Sequence, residues 1–387
     1  MRFEEVKEII DNGENSYIEF KEEGIKAKDL AEEIVAFANS EGGMILIGVD
    51  DDGNVKGVSD TLIEEKIMNL CRNNCIPNII PAFHCVDIDG KTIAVISIHK
   101  GLNKPYYTTD HKYYIRVGTT KRIASREELL RLFEANGALH FDISPVEDTS
   151  VKDLNIDVIR EYFLKYNAFD LHEESKEATE RILINADIMT ESDGKVYCTV
   201  GGLLVFGKNP ERRLPQNGIS FAHFKGVEVT DELVDKKVLT GRIQDIADQA
   251  MVVLKNNMKS PSVINGIKRE GKEEYPNLVL REAIVNTLVH RNYSISGSKI
   301  RIFMFDDRIE FHSPGRLPNT VTIEKMRIGI SYARNPFLVK YMENLRYIDQ
   351  LGRGIPMILK TMKDAGAKEP LLYELGEEFI LTIYMTN

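Results

Sequence analysis

Residues 28–51 read KDLAEEIVAFANSEGGMILIGVDD, and this stretch decides the fold of the first part of the chain. Apolar residues recur at helical spacing in its first half and predict an amphipathic helix over residues 28–39. Gly42 and Gly43 then predict a turn, and the apolar run Met44–Val49 predicts a buried strand. A helix followed at once by a buried strand is typical of an α/β domain.

The flanking segments extend this α/β domain over residues 1–140. Helices are expected over residues 3–10, 61–73 and 125–135. Period-two alternation between turn residues predicts strands at 16–20, 55–58, 82–88, 92–99 and 113–117. A polar segment over residues 141–152 then predicts a linker.

The rest of the chain is expected to form a middle α+β domain, 141–274, and a last domain, 275–387. In the middle domain, helices at 156–166 and 175–188 precede a hairpin that turns at Asp193-Gly194 and continues through Val196–Phe206, an order that suits a winged helix. Strands within 215–240 and a helix over 241–260 complete it. The last domain is expected to hold helices at 277–290, 335–345 and 351–365, a hairpin at 298–312 and a final strand at 379–385.

Length and composition fit a soluble protein of several domains. The chain has 387 residues, of which 43% are apolar. No apolar run reaches the length of about 18 residues that a membrane span needs. The acidic, amphipathic start of the sequence does not match a signal or transit peptide. Four cysteines without a repeated spacing predict reduced thiols and a cytoplasmic location.

The formal net charge of −10 excludes a global basic field that would hold nucleic acid non-specifically. Residues 1–140 carry 17 Lys and Arg against 24 Asp and Glu, and the remainder carries 33 against 36. Between Lys100 and Arg131, however, eight cationic residues stand against three acidic ones. This local excess predicts phosphate contact within that segment.

Three acidic residues mark a candidate metal site in the N-terminal domain. Glu19 is a charged position in an otherwise apolar strand, Glu14 precedes that strand, and Asp51 follows the buried strand Met44–Val49. Carboxylates around one cleft suit Mg²⁺ or Mn²⁺, and such an ion activates water for phosphodiester cleavage. The same residues also fit solvated charges at turns and strand edges, so both interpretations stay open.

The segments ENSYIEFK (14–21), AFANSEGGMILIGVDD (36–51) and YIRVGTT (114–120) resemble the Schlafen AlbA-type domain over about residues 10–135. The resemblance implies an AlbA-like nucleic-acid-binding fold. In eukaryotic Schlafen nucleases three acidic residues of this pattern form the active site, and the matching positions here are Glu14, Glu19 and Asp51. Prokaryotic members are mostly described as predicted transcriptional regulators. Because the nucleases pair two such lobes and this chain has one, the resemblance implies a homodimer.

A basic hairpin at residues 112–122 is the candidate contact with nucleic acid. Its Gly-Thr-Thr turn at 118–120 also offers backbone N–H groups that suit a phosphate. A solvated edge hairpin is the alternative. The residues expected to bind nucleic acid are Lys21, Lys112, Arg116, Lys121 and Arg122.

The sequence GLLVFGKN at 202–209 matches a Walker loop except at Asn209. Its four central residues are apolar and favour a buried strand, whereas a phosphate cradle needs exposed backbone N–H groups. A P-loop is therefore rejected, and no motor motif remains to support helicase activity.

Residues 280–293 read LREAIVNTLVHRNY and carry Glu282 and Asn286 one helical turn apart. Such a pair can place a general base beside a Mg²⁺ ligand on one helix face. Downstream lie SPGRLP at 313–318 and GRG at 352–354, and glycine-rich turns before a helix suit phosphates. Each feature alone is also typical of a solvated helix face or an ordinary turn.

Together these segments resemble the GHKL ATPase family, and more closely the divergent GHKL domain that follows a Schlafen AlbA-type domain in RecG-related regulators. The resemblance implies that Glu282 orients the attacking water and Asn286 binds Mg²⁺. The nucleotide-binding positions it implies are Glu282, Asn286, Ser313, Gly315, Gly352 and Gly354. Ser313 stands where the family has its adenine-reading Asp, so we expect weak ATP–Mg²⁺ binding and slow or absent hydrolysis.

Cysteine and histidine spacing is compatible with a zinc site but does not favour one. Cys71 and Cys75 lie four residues apart on a predicted helix, and His84-Cys85 follow nearby. This spacing matches no familiar zinc motif, and buried cysteine usually packs as a small apolar residue.

The sequence thus predicts a DNA- or RNA-binding transcriptional regulator with a divergent ATP-binding domain, built as an AlbA-like α/β domain, an α+β middle and a GHKL-type α/β sandwich. A metal-dependent nuclease that uses Glu14, Glu19 and Asp51 is one alternative. A degenerate GHKL unit that serves only for dimerisation is the other. The expected cofactors are ATP with Mg²⁺, and Mn²⁺ or Mg²⁺ at the acidic cluster.

Overall fold

A computed structural model of the chain describes residues 3–136, 139–258, 262–265, 268–271, 274–318, 321–348 and 353–386. The chain forms two compact units, residues 1–139 and 140–387. Within the described ranges, no helix has both the length and the apolar character needed to cross a membrane.

The N-terminal unit combines helices with a four-stranded sheet and shorter strand pairs. Its helices are α1 (Phe3–Asn12), α2 (Ala27–Asn39), α3 (Ile63–Asn73) and α4 (Arg126–Ala135). Its strands are β1 (Ile18–Lys21), β2 (Gly42–Ile47), β3 (Cys75–Ile76), β4 (Ala82–Ile88), β5 (Lys91–His99), β6 (Tyr107–Thr108), β7 (Tyr114–Val117) and β8 (Thr120–Ile123).

The four-stranded sheet has the order β1-β2-β5-β4 and is apolar on both faces. Strand β1 pairs in parallel with β2, and the other pairs are antiparallel. Because side chains alternate along a strand, Ile45 and Ile47 pack with α2, whereas Leu46 packs in the cluster that holds Val6 of α1. Ile18 and Phe20 of β1 belong to the α1 cluster, so Glu19 lies on the α2 face.

The segment predicted as a strand at 55–58 is not one in the structure. Val55 makes only an isolated bridge to Val49, and the residues on either side of it belong to no helix or strand. Lys56 and Gly57 both donate their backbone N–H groups to the Gly48 carbonyl oxygen, so they do not form the regular hydrogen-bond ladder of a strand. The alternation of residues 55–58 therefore reflects a loop folded back on the end of β2.

The C-terminal unit is built around a six-stranded sheet. Its helices are α5 (Ile156–Asn167), α6 (Lys176–Asn185), α7 (Val200–Phe206), α8 (Ile243–Asn257), α9 (Asn277–His290), α10 (Ile323–Arg327), α11 (Pro336–Asn344) and α12 (Gly354–Asp364). Its strands are β9 (Met189–Ser192), β10 (Lys195–Cys198), β11 (Ile219–Phe224), β12 (Leu233–Leu239), β13 (Ser262–Asn265), β14 (Lys268–Gly271), β15 (Ile300–Met304), β16 (Arg308–Pro314), β17 (Leu371–Leu375) and β18 (Glu378–Tyr384).

The six-stranded sheet takes strands from both sides of the domain boundary predicted at residue 274. Its order is β12-β11-β15-β16-β18-β17, and β11 pairs in parallel with β15. One apolar core also runs from Leu154 to Ile383. The structure therefore groups residues 140–387 as a single unit, and the division into a middle and a last domain stays a prediction from sequence.

Residues 200–206 form helix α7, so the strand predicted through Val196–Phe206 is wrong beyond Cys198. Thr199 caps the helix, because its hydroxyl oxygen accepts from the Gly202 N–H at 2.9 Å. All seven residues of α7 are buried. A short helix that is apolar on every side has no polar stripe, and its pattern cannot be told from that of a buried strand.

Gly202 lies against the backbone of Ile188, and this contact gives a test of the packing of α7. Gly202→Ala should gain about 1 kcal/mol of helix propensity. The new Cβ would lie 2.1 Å from the Ile188 carbonyl oxygen, however. We expect the clash to prevail and to destabilise the protein by on the order of 1–3 kcal/mol, measured by thermal unfolding followed by circular dichroism.

Gly297→Ala is the matched control, because a Cβ there meets no atom within 4 Å. Its unfolding midpoint should stay close to that of the parent protein. A Gly202→Ala variant as stable as the parent would contradict the packing described for α7.

Candidate functional site

A cavity of about 430 Å³ in the C-terminal unit brings together residues from several separate stretches of sequence, including Phe379 and Leu381 of β18. It lies between α9, the end of β16, the loop that leads to α11, and the first turn of α12. Five of the predicted nucleotide-binding residues line it: Glu282, Asn286, Ser313, Gly315 and Gly354. The sixth, Gly352, lies outside the described residues.

Glu282 and Asn286 meet the start of α12 at the closest point between the two helices. Asn286 Nδ2 donates to Glu282 Oε1 at 3.1 Å, and the Glu282 side chain is buried. A Cβ on Gly354 would lie 2.0 Å from Glu282 Oε1 and 3.1 Å from Asn286 Nδ2. Any larger residue at position 354 would therefore displace this pair or the first turn of α12.

Ser313 and Gly315 form the opposite wall at the end of β16. The Ser313 hydroxyl donates to the Thr287 carbonyl oxygen at 3.2 Å, so its oxygen keeps its lone pairs for another donor. Gly315 has φ of +112°, and a Cβ there would lie 2.5 Å from Asn292 Cβ. This position needs glycine for its backbone conformation and for its close contact.

His290 and Arg334 also line the cavity, and the sequence analysis missed both. Burial, followed by the charge of Arg334, lowers the pKa of His290 to about 4, so its imidazole is neutral at neutral pH. Arg334 Nη1 donates to the His290 carbonyl oxygen at 3.2 Å, which holds a positive charge at the wall. His290 lies one helical turn beyond Asn286, so helical spacing could have identified it. No signal in the sequence marked Arg334.

In the N-terminal unit, Arg116 joins two buried carboxylates. Its Nη1 lies 2.6 Å from Glu19 Oε2 and 3.1 Å from Glu33 Oε2. Its Nη2 donates to the Asn15 carbonyl oxygen at 3.1 Å, and its guanidinium lies 4.5 Å from the centre of the Phe37 ring. Only 2% of the Arg116 side chain is exposed, so its predicted phosphate contact is not available without breaking these bonds.

Lys21 and Lys121 extend this charged network. Lys21 Nζ lies 2.5 Å from Glu19 Oε1, and Lys121 Nζ lies 3.1 Å from Glu33 Oε1 and 3.2 Å from Glu32 Oε2. Burial and the charge of Glu19 raise the pKa of Glu33. Burial lowers the pKa of Lys121, but Glu33 and Glu32 outweigh it and raise that pKa overall.

The residues predicted to hold a metal do not converge. Glu14 Oε1 accepts from the Phe20 N–H at 2.7 Å, Glu19 is bonded to two cations, and Asp51 is exposed in a turn. Among the described residues, no group of three or more His, Cys, Asp and Glu side chains is arranged to hold a metal ion. Because the charge of Glu19 is already compensated, this donor set does not fit Mg²⁺ or Mn²⁺, and the nuclease assignment stays a prediction from the resemblance.

The thiols near the predicted zinc spacing behave as apolar groups. Cys71 and Cys75 are buried, and burial raises the pKa of the Cys71 thiol to about 12. Burial also raises the pKa of Cys75, so neither thiol ionises at neutral pH.

Most of the cationic excess between residues 100 and 131 is compensated in space by carboxylates. Besides the network of Arg116 and Lys121, Lys112 pairs with Asp110 at 3.4 Å and Arg122 pairs with Glu128 at 2.6 Å. Lys100 pairs with Glu41 at 3.1 Å. Lys112 and Arg122 keep about half of their side chains exposed and are the cations of the predicted hairpin that a phosphate can reach.

Arg116→Ala tests whether this network holds the N-terminal unit together. Removing the arginine leaves Glu19 and Glu33 buried without their shared cation, which should cost about 3–5 kcal/mol in the free energy of unfolding. Arg122→Ala breaks an exposed pair and should cost less than about 1 kcal/mol. Urea unfolding followed by circular dichroism measures both, and equal costs would contradict the structural role of Arg116.

Three family models match parts of the chain. "Schlafen, AlbA_2" matches residues 14–125, "Putative ATP-dependent DNA helicase recG C-terminal" matches residues 297–383, and a domain of unknown function matches residues 131–217. The C-terminal match includes Ser313, Gly315 and Gly354, whereas Glu282 and Asn286 precede it. No curated protein matches the chain.

Two solved structures are similar to the chain at low sequence identity. A crystal structure of a protein from Corynebacterium diphtheriae is 20% identical, with 96% of this chain and 75% of that chain covered and a TM-score of 0.49. The N-terminal domain of a RecG-related protein from Nitrosomonas europaea, solved by NMR, is 24% identical, with 32% and 90% covered and a TM-score of 0.27. The family models confirm the resemblance predicted for both ends of the chain. The chain is therefore similar to the Schlafen AlbA_2 family over residues 14–125 and to the RecG C-terminal family over residues 297–383.

Proposed function

We propose that this protein is a nucleic-acid-binding regulator whose C-terminal unit binds ATP with Mg²⁺. The observation that supports the nucleotide site is the convergence of Glu282, Asn286, Ser313, Gly315 and Gly354 on one cavity of about 430 Å³. That volume lies in the range of small-molecule sites, and the walls combine apolar side chains with a few polar groups.

The two ends of the cavity suit the two ends of a nucleotide. The Ser313 oxygen, whose proton goes to Thr287, can accept from the amino group of adenine. At the other end, α12 begins at Gly354 without a side-chain cap, so its first N–H groups and its dipole favour a phosphate. Arg334 adds a positive charge to the wall between them.

Asn286 and Glu282 are the residues that would hold Mg²⁺ and orient water. The bond between them uses the amide nitrogen of Asn286, which leaves its amide oxygen, the atom that ligates Mg²⁺, outside that bond. Bound Mg²⁺ would supply compensation for the phosphate charge. Ser313 is a neutral acceptor in place of a carboxylate, which should weaken adenine binding by about 1–2 kcal/mol, or roughly tenfold.

Isothermal titration with ATP in the presence and absence of Mg²⁺ tests the nucleotide site. We expect weak binding that depends on Mg²⁺, and Asn286→Ala should remove that dependence. Glu282→Gln keeps the shape and the acceptor for Asn286 but removes the charge, so it should lower hydrolysis more than binding. Gly354→Ala should weaken binding at least tenfold, because its Cβ would displace Glu282.

Arg281→Ala is the control for these variants, because Arg281 is exposed on the same helix and does not line the cavity. Its ATP affinity should match that of the parent protein. If millimolar ATP gives neither heat nor thermal stabilisation, the C-terminal unit is a degenerate scaffold that serves for dimerisation.

Nucleic-acid binding is proposed for the N-terminal unit on the strength of its Schlafen AlbA_2 match. Lys112 and Arg122 are the exposed cations of the hairpin, whereas Arg116 is buried and Lys121 is bonded to Glu32 and Glu33. Because one chain carries one such domain, we propose that a homodimer supplies the full binding surface. Regulation of transcription on DNA follows as the proposed role.

The double variant Lys112→Ala and Arg122→Ala tests the hairpin as a phosphate-binding surface. Its affinity for labelled DNA and RNA should fall to a similar extent for every sequence, and the salt slope should decrease by about 1 for each phosphate that the hairpin no longer neutralises. Fluorescence anisotropy across a salt series measures both quantities. Lys7→Ala, which removes an exposed cation on α1, is the control, and an equal loss of affinity in that variant would move the binding surface elsewhere.

A further inference from the structure

A second cavity, of about 310 Å³, lies on the other side of α11 from the proposed nucleotide site. Pro336 lines both cavities, Val339 faces the first, and Phe337, Tyr341 and Asn344 face the second. Helix α11 is held firmly at its start, because Asn335 Nδ2 donates to the carbonyl oxygens of Val289 and Arg291 at 2.8 Å each.

Five of the fifteen residues that line this cavity are phenylalanine or tyrosine. They are Tyr162, Phe163, Phe206, Phe337 and Tyr341. The ring of Tyr162 packs against Phe206 at 5.4 Å and against Tyr341 at 5.2 Å between centroids. These rings are fixed by their contacts with one another, so the cavity offers rigid aromatic surface to an occupant.

Asp142 is the charged group inside the aromatic wall, and it is fully buried. Its Oδ2 accepts from the backbone N–H groups of Phe337, at 2.8 Å, and Leu338, at 3.4 Å, at the first turn of α11. Its Oδ1 is buried without a hydrogen-bond partner among the residues that the structure describes, and the same holds for His140 Nδ1, which also lines the cavity.

The buried carboxylate oxygen needs a donor, because an unsatisfied charged group in the interior is costly. Burial raises the pKa of Asp142 to about 6, against the opposing effect of the two backbone N–H groups and His140, so the carboxylate is mostly ionised at neutral pH. The other charged side chains that line the cavity, Asp187 and Lys340, are exposed and stand at its mouth.

We propose that this cavity is a second ligand site that takes a small organic cation, a protonated amine or amidinium carried on an apolar body. The cationic N–H groups would satisfy Asp142 Oδ1, and the aromatic faces would hold the charge and the apolar body together. An anion is disfavoured, because it would meet the buried carboxylate. The site is independent of the nucleotide proposal, since none of its polar groups serves the first cavity.

Benzamidine is the probe, with benzamide as its neutral counterpart and benzoate as its anionic one. Isothermal titration of the full chain at neutral pH should give a benzamidine affinity at least tenfold higher than that of either counterpart. Asp142→Asn keeps a carbonyl oxygen for the amides of Phe337 and Leu338 but removes the charge. It should lower benzamidine affinity at least tenfold and leave ATP affinity unchanged.

Asp187→Asn is the matched control at the mouth, and it should change benzamidine affinity less than twofold. Ala186→Leu adds bulk at a residue that lines the cavity, without touching Asp142, and should abolish binding even if Asp142→Asn fails to fold. Equal binding of benzamidine and benzamide, or binding that survives Asp142→Asn or Ala186→Leu, would overturn the proposal. Because the benzamidine titration needs no nucleotide, its failure would leave the ATP proposal standing, and the reverse also holds.

Discussion

The contact between Gly354 and the Glu282–Asn286 pair is the constraint on which the C-terminal cavity depends. Helix α9 is buried along most of its length, and the Glu282 side chain is buried with it against the start of α12. A side chain on residue 354 would overlap Glu282, so either the Glu282 carboxylate or the first turn of α12 would have to shift. The same contact brings a helix N-terminus to a carboxylate and an amide, which is the set of groups that phosphate and Mg²⁺ chemistry needs.

Buried charges are also paired in the N-terminal unit, where Arg116 joins Glu19 and Glu33. Strand alternation places Glu19 on the face of the sheet that α2 covers. Arg116 of β7, which is distant in sequence, contacts Glu19 on that face. The two carboxylates and the guanidinium compensate one another, so the unit keeps charged groups in its interior at a tolerable cost. Of the three acidic residues that resemble a nuclease centre, Glu19 is the one that takes part in this buried network.

Periodicity and turn residues together predicted several elements correctly. Helices α2 and α9, the hairpin of β4 and β5, and the final strand β18 all lie close to their expected positions. The pattern was wrong at residues 200–206, where a helix buried on every side has no polar face, and it missed β17, which alternates weakly. Helix geometry fixes the distance between Glu282 and Asn286, whereas Ser313, Gly315 and Gly354 were identified through the resemblance to the GHKL ATPase family. Arg334 was missed because it lies in the loop before α11, and no periodic pattern fixes the position of a loop residue relative to the cavity.

Charge counting along the sequence was a poor guide to charge in space. The excess between residues 100 and 131 is real in sequence, but Glu19, Glu32, Glu33 and Glu41 come from elsewhere in the chain and compensate it. A segment with five more cationic than acidic residues thus gives the surface few uncompensated cations. Sequence cannot predict this result, because it depends on which strands and helices become neighbours.

The parallel pairing of β11 with β15 has a consequence for how the protein is made. Ile219 and Ile300 are partners although 81 positions separate them, so β11 leaves the ribosome long before β15 exists. At about 5–20 residues per second, that interval is on the order of ten seconds. During it, β12 can cover one edge of β11, but the other edge has no strand beside it and is open to other chains. In a fragment that stops near residue 274, the edge of β11 that pairs with β15 would stay unpaired.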